Sequence, residues 1–296
     1  YFKKKEITKN DLFESDLLIK NKQNQFFGRF RNRITFPIFN FGNKIVGFGG
    51  RTINESKIKY INSQESDIFK KGDILFGLKQ NFDHIRKFKE IILVEGYMDV
   101  IAMNQFNIKT SVSSLGTTLS KNQAMKIWSY TDTPYLCFDG DNAGRLASKN
   151  IAMKVLEYLE PGKTLRIIKL PNNEDPDSFL SKNSSESFEE LKSKSVNLSN
   201  VIWNIIKNSI PDLSPEFIVK FDEKIKFFAN KIKNKAISGE YFKFLNNQKT
   251  KYLWEHNSIK SFKPKKKNQK VFEDINEKLI LTFIFFEKEI IDLFVE

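Results

Sequence analysis

Between residues 91 and 181 short apolar runs alternate with helix-length segments, and this alternation constrains the fold more than any other feature of the 296-residue chain. Residues 91–94 form an apolar run that stops at Glu95-Gly96, after which Tyr97, Val100 and Ile101 recur at helical spacing. Residues 109–113 make a second strand candidate, and Ser120 suits an N-cap for a helix reaching Tyr130. Residues 134–138 stop at Asp139-Gly140-Asp141. A helix over 143–159 follows, with Ala147, Ile151, Val155 and Tyr158 along one face. Residues 164–170 are the next strand, ending in the polar turn 171–177. Strands separated in this way predict a parallel, doubly wound sheet.

Three of those strand ends carry acids: Glu95, then Asp139 and Asp141, then Asp175 and Asp177. Open parallel sheets bind ligands outside the carboxyl ends of their strands, so all five groups are expected to converge from distant parts of the chain. Two acids one residue apart in an extended turn point the same way, because the strand period is two. An oxygen-only ligand set, with no His or Cys in these motifs, suits Mg²⁺ or Mn²⁺ and disfavours zinc. Clustered carboxylates repel one another unless cations neutralise them, and that need is the argument for metal. Asp, Gly and Asn at strand ends are also ordinary turn formers. That plainer reading is strongest for Asp175-Pro176-Asp177 alone. It is weaker for Asp139-Gly140-Asp141-Asn142-Ala143-Gly144, which ends an apolar strand and opens a long helix. Asp99 fits equally well as a further member of the cluster or as a cap for the helix after Glu95.

Charge is distributed unevenly. The chain carries a formal +13, which points to a polyanionic partner, most often nucleic acid. Residues 1–90 hold 19 basic against 10 acidic side chains, 91–181 hold 9 against 10, and 182–296 hold 21 against 16. An abundance of Lys and Asn explains part of the total but not the depletion in the middle. A basic block beside an acidic site is how a protein holds a phosphate backbone next to bound metal. In the basic block, residues 33–39 and 44–51 read as a hairpin about Asn40-Phe41-Gly42-Asn43. Arg29, Arg31 and Arg33 interleave there with Phe26, Phe27, Phe30 and Phe36. The arginines are the candidates for phosphate contacts, and the rings are better read as core than as stacking platforms.

Other signals exclude more than they assign. The single Cys, Cys137, sits in an apolar strand, so there is no disulfide framework and no Cys-based zinc site, which fits a reducing cytoplasm. The longest mostly apolar run, 279–286, is far short of a membrane span. Gly72-x-x-x-x-Gly77-Leu78-Lys79 misses the P-loop pattern, since the Lys does not follow the Gly directly and no strand precedes it. His84 and His256 have no evident partner. Residues beyond 182 are expected to be helical, with a basic linker at 261–271 and a last amphipathic helix at 272–294.

The ordered motifs carry a resemblance. Glu95-Gly96 followed by Asp139-x-Asp141 is similar to the Toprim domain shared by bacterial primases, topoisomerases and some nucleases. Leu93-Val94-Glu95-Gly96-Tyr97-Met98-Asp99-Val100, Ser114-Leu115-Gly116-Thr117, Phe138-Asp139-Gly140-Asp141-Asn142-Ala143-Gly144 and Asp175-Pro176-Asp177 resemble bacterial DnaG-type primases more closely. Gly47-Phe48-Gly49-Gly50-Arg51, Lys59-Tyr60-Ile61-Asn62-Ser63 and Phe69-Lys70-Lys71-Gly72 extend the likeness, which covers roughly residues 26–185.

The resemblance implies an α/β fold: a Toprim core with a Rossmann-like parallel sheet, flanked by a basic mixed α/β N-terminal subdomain and a helical C-terminal subdomain. It implies divisions at 1–90, 91–181, 182–260, 261–271 and 272–296. The activity implied is DNA-directed synthesis of short RNA primers from ribonucleoside triphosphates on single-stranded DNA, in the bacterial cytoplasm at the replication fork. Glu95 would be the catalytic glutamate, as general acid/base or metal organiser, with Asp139 and Asp141 beside it. Asp139, Asp141, Asp175 and Asp177 would hold Mg²⁺ or Mn²⁺. Arg51, Lys59, Asn62 and Lys71 fall where the family's basic ridge meets template and nucleotide. The chain lacks an initiator Met, which suggests a piece of a longer protein. The family's zinc-binding domain is expected outside it, and the helicase-binding domain to be cut after its first helix. A Toprim nuclease or topoisomerase fragment, and a non-catalytic single-stranded DNA-binding module, are the alternatives.

Overall fold

A computed structural model describes residues 6–54, 58–116 and 118–261, with side chains described as far as His256. Thr117, the linker beyond residue 261 and the expected helix at 272–294 lie outside the described residues. Residues 1–249 form one compact unit and residues 250–296 a second.

The N-terminal third is built from two small antiparallel sheets. A short helix, α1 (Lys9–Glu14), is capped by Thr8, whose hydroxyl accepts from Asp11 N. Strands β1 (Leu18–Lys20) and β2 (Phe26–Gly28) then pair, with Leu18 opposite Gly28. The expected hairpin is present as β3 (Arg33–Phe39) and β4 (Ile45–Thr52), with Arg33 opposite Thr52 and a register shift between Ile38 and Phe39. Its turn closes through Asn40 N donating to Lys44 O at 2.9 Å, while Asn43 adopts a φ of 60°. Asparagine tolerates that left-handed backbone. Pro37 has no N–H to give a ladder, and it sits on β3, the outer strand of the order β3-β4-β5. The third strand, β5 (Tyr60–Asn62), lies against β4. A helix, α2 (Phe82–Phe88), leads to the main sheet.

That sheet is made as the alternation predicts. In chain order come β6 (Ile92–Val94), α3 (Tyr97–Gln105), β7 (Ser111–Ser113), α4 (Lys121–Trp128), β8 (Tyr135–Phe138), α5 (Asn142–Val155) and β9 (Arg166–Lys169). Two helices follow, α6 (Pro176–Lys182) and α7 (Ser185–Ser193), then β10 (Val196–Asn197), α8 (Leu198–Lys207), α9 (Pro215–Lys231) and α10 (Lys235–Ser261). Strand order is β10-β9-β8-β6-β7, with β6 to β9 parallel. The sheet therefore grows one way from β6 to β7 and then returns to the other side of β6 for β8. Crossovers share one hand, so the reversal sends α3 to one face and α4 and α5 to the other. Accordingly α3 packs on α6, and α5 packs on α8.

One core crosses the boundary expected at 90/91. Ile38 and Phe69 from the N-terminal third are fully buried with Ile92, Val94 and Met103, and the same cluster reaches Phe188 on α7. The edge of β7 is closed by Phe76, whose N–H and C=O bond Ser113 at 2.8 and 2.9 Å. The region 182–260 departs from the expectation of helices alone. Its β10 joins the sheet antiparallel to β9, and Arg166 fixes the edge by donating to Ser195 Oγ and Ser195 O, both at 2.8 Å. A two-residue strand has no periodicity to read, so only the tertiary contact reveals it. Among the described residues no helix is long and apolar enough to cross a membrane.

If Phe188 belongs to this shared core, Phe188→Ala should lower the unfolding free energy by about 3–5 kcal/mol in a urea titration. A loss below about 1 kcal/mol would separate α7 from the sheet's packing.

Candidate active site

The reversal of winding lies between β6 and β8, and the acids stand there. Glu95 follows β6 and Asp139 follows β8, on neighbouring strands. Asp139 N donates to Glu95 Oε1 at 3.2 Å, tying the two strand ends together. Ser113 Oγ donates to Glu95 O at 2.8 Å, which fixes β7 to the same edge. Space is tight. A Cβ on Gly144 would press on Asp139 O and come within 2.6 Å of Glu95 Oε1, and one on Gly140 would collide with Pro171 O. These two glycines let the backbone of 139–144 lie against β6 and against the 171–174 turn, where Gly140 N donates to Glu174 O at 2.7 Å.

Asp141 and Asp175 serve as caps with one oxygen each. Asp141 Oδ1 accepts from Gly144 N at 2.7 Å at the start of α5, and Asp175 Oδ1 accepts from Ser178 N at 2.7 Å at the start of α6. Pro176 occupies the first turn of α6, where its missing N–H costs nothing. Asp177 is exposed on that turn. The turn-forming reading of these aspartates is thus correct for one oxygen of each. Asp99 proves to be both things the sequence allowed: its Oδ2 accepts from Gly96 N at 2.8 Å, and it faces the other acids.

Electrostatics show the convergence. Burial pushes Asp139 up to about 7, with Glu95, Asp99, Asp175 and Asp141 adding repulsion. Burial lifts Asp99 to about 6, aided by Asp175, Glu95 and Asp177. Glu95 is also raised, first by burial and then by Asp141, against the bond from Asp139 N. Among the described residues none of these six carboxylates is in an ion pair with a Lys or Arg. Asp139 Oδ1 is buried without any hydrogen-bond partner. As placed, no three of the described Asp, Glu, His or Cys side chains are set to grip one metal ion. The donor set nonetheless fits a hard divalent cation: all oxygen, uncompensated, with one orphaned buried oxygen.

The basic residues divide into two groups. Arg29 is built into the fold, ion-paired to Asp16 at 2.9 Å and donating to Asn62 O at 2.9 and 3.2 Å. Arg33 donates to Lys59 O at 3.0 Å and Ile58 O at 2.9 Å. Arg29 thereby braces Asn62 of β5, and Arg33 braces residues 58 and 59 just before that strand. Arg31 and Arg51 stay outside any ion pair among the described residues. Each rests over a ring, Arg31 over Phe27 and Arg51 over Tyr60, both at 5.8 Å. Lys59 and Lys71 likewise have no ion pair among the described residues.

Asn62 also turns inward. Its Oδ1 accepts from Tyr97 Oη at 3.2 Å and its Nδ2 donates to Leu115 O at 3.2 Å, so β5 is pinned to the ends of β6 and β7. Two residues were not singled out from the sequence. Tyr60 feels Asp99, Asp139 and Asp175, so it borders the acidic edge, and burial pushes the Tyr97 hydroxyl up to about 12. In the sequence Tyr60 stands only inside a motif string, and Tyr97 stands out only for its helical spacing after Glu95.

Comparison with known proteins agrees with this geometry. Residues 1–82 match the family described as the DNA primase catalytic core, N-terminal domain, and residues 92–180 match the Toprim-like family. A DNA primase of Rickettsia felis is 35% identical over 268 residues, covering 90% of this chain and 44% of the relative. The chain therefore spans less than half the length of such curated relatives. The E. coli primase catalytic core is similar with a TM-score of 0.76 and 30% identity, over 83% of this chain and 80% of that one. A DnaG primase catalytic domain bound to single-stranded DNA is similar with a TM-score of 0.73 and 31% identity, over 80% and 77%.

An uncompensated acidic edge should strain the metal-free fold. Asp139→Asn is expected to raise the melting temperature in EDTA by about 2–4 °C, the equivalent of about 1 kcal/mol, and to remove the rise that Mg²⁺ gives the unaltered chain. A melting temperature that falls in EDTA would mean the carboxylate is held by favourable contacts.

Proposed function

The chain belongs to the bacterial DnaG-type DNA primase family, and from that premise we propose that it carries the RNA-polymerase activity of such an enzyme. It would make short RNA on a single-stranded DNA template by metal-dependent nucleotidyl transfer. The observation that carries this reading is the set of six carboxylates at the β6/β8 reversal, without basic partners among the described residues and with Asp139 Oδ1 unbonded.

In the proposed reaction the 3′-hydroxyl of the growing RNA attacks the α-phosphorus of a ribonucleoside triphosphate. The new P–O bond forms as the bond to pyrophosphate breaks, and pyrophosphate leaves. Glu95, Asp139, Asp141, Asp175 and Asp177 would hold Mg²⁺ or Mn²⁺. Such an ion supplies charge neutralisation and polarises phosphate oxygens. Glu95, tied to Asp139 N, takes up the hydroxyl proton or orients the acids around it. Arg31, Arg51, Lys59 and Lys71 offer charge to template and nucleotide phosphates. Arg29, Arg33 and Asn62 contribute by bracing β5 against the sheet ends.

The same reading assigns 1–90 to the basic N-terminal part, 91–181 to the Toprim unit, 182–260 to a largely helical part that lends β10 to the sheet, and 261–296 to a linker and the start of a helicase-binding domain. In the full-length bacterial protein a zinc-binding domain and the replicative helicase would complete the apparatus, in the cytoplasm. The single-stranded DNA carried by a similar catalytic domain supports the template class.

Labelled ribonucleotides supplied to this chain with Mg²⁺ or Mn²⁺ and single-stranded DNA should yield short template-dependent RNA. Asp139→Asn and Glu95→Gln should each reduce it at least about a hundredfold. Template cleavage that needs Asp139, with no RNA made, would point to a Toprim nuclease instead. DNA binding that survives Asp139→Asn with no chemistry in either protein would leave a binding module.

A further inference from the structure

A second feature of the β8 end faces β9 rather than β6. A cavity of about 520 Å³ opens there between α5, the end of β9 and α8, a size typical of small-molecule sites. One wall is cationic. Lys149 on α5 and Lys169 at the end of β9 line it, and among the described residues neither makes an ion pair or a side-chain hydrogen bond. Arg145, one helical turn before Lys149, adds a third positive charge and is itself anchored by Nε donating to Gly140 O at 3.1 Å. Against these three cations the lining holds one acid, Asp139.

Ser148, next to Lys149 on α5, lines the same wall. Ser148 is 8% exposed, yet its hydroxyl has no hydrogen-bond partner among the described residues. A hydroxyl on the cavity wall can donate to a ligand acceptor. The opposite wall comes from α8, where Val201, Asn204, Ile205 and Asn208 recur at i, i+3, i+4 and i+7 and so share one face. That face offers two branched aliphatic side chains and two amides. The ligand class that answers both walls is an anion at one end and a flat, hydrogen-bonding ring at the other.

We infer that this cavity binds a nucleotide, with its phosphates on Lys149, Lys169 and the Ser148 hydroxyl and its base against Val201 and Ile205, edged by the Asn204 and Asn208 amides. The site lies on the β9 side of Asp139 and shares that residue with the acidic edge. There, a phosphate needs a divalent cation to approach the carboxylates; here, the protein supplies the positive charge, and binding requires no metal. The inference stands whether or not the chain polymerises RNA.

Calorimetric titration of the full chain with ADP in EDTA tests it, because without divalent ions the acidic edge repels the diphosphate. One site per chain is expected. Lys149→Ala combined with Lys169→Ala should weaken ADP at least tenfold, and both side chains are exposed, so the fold is retained. Ile205→Ser should weaken ADP but leave inorganic pyrophosphate unchanged, whereas the lysine pair should weaken both. Absence of ADP binding in EDTA would overturn the inference. So would binding that ignores the lysine pair and disappears instead with Arg31→Ala and Arg51→Ala on the N-terminal sheets.

Discussion

Carboxylates forced together at a sheet edge repel, and the rest of the molecule is arranged around that repulsion. The strands β6 and β8 are neighbours in space but are separated in sequence by the excursion to β7, so the winding reverses between them. Loops leaving two such strands diverge to opposite faces and leave a crevice at the carboxyl ends. Glu95 and Asp139 stand on its two sides, held by a backbone donor shared between them. Two glycines, Gly140 and Gly144, allow the neighbouring turns to close on them. The helix starts that bring Asp141 and Asp175 to the edge engage one oxygen of each in capping. Local capping and global charge therefore use the same residues.

Positive charge is placed nearby without quenching the acids. In the N-terminal sheets Arg29 and Arg33 are tied to carbonyls, where they hold β5, and Asn62 of that strand reaches Tyr97 and Leu115 at the sheet ends. Arg51 and Tyr60 form a pair beside the acidic edge, and Tyr60 feels three of its carboxylates. A basic surface braced in this way presents charge to a phosphate chain while no guanidinium of the described residues collapses onto the acids. The arrangement suits a long polyanion held beside bound cations.

Much of this was legible from residues alone, for identifiable reasons. The strand–helix alternation is a periodicity, and the acids sit where apolar runs stop, so both are local signals. The capping role of Ser120 follows from short-range chemistry, and Ser120 does accept from Gln123 N at 3.0 Å, whereas Asp141 and Asp175 read only as turn formers or ligands until their bonds to Gly144 N and Ser178 N are seen. What stayed hidden depends on contacts between distant segments. The strand β10 exists because Arg166 and β9 offer it an edge. Nothing in the sequence says that Arg29 reaches the carbonyl of Asn62, or Arg33 those of Lys59 and Ile58. Asn62, which a family motif offers as a ligand contact, also pins β5 to the sheet ends, and only its partners Tyr97 and Leu115 reveal that.

The acidic edge is proposed to be a cation site. Anomalous diffraction from crystals of this chain soaked in Mn²⁺ tests that most directly. A peak bounded by carboxylates of Asp139 and its acidic neighbours, and absent from Asp139→Asn crystals, is the predicted result. A Mn²⁺ peak located only elsewhere, or no peak with the acids still in place, would contradict it.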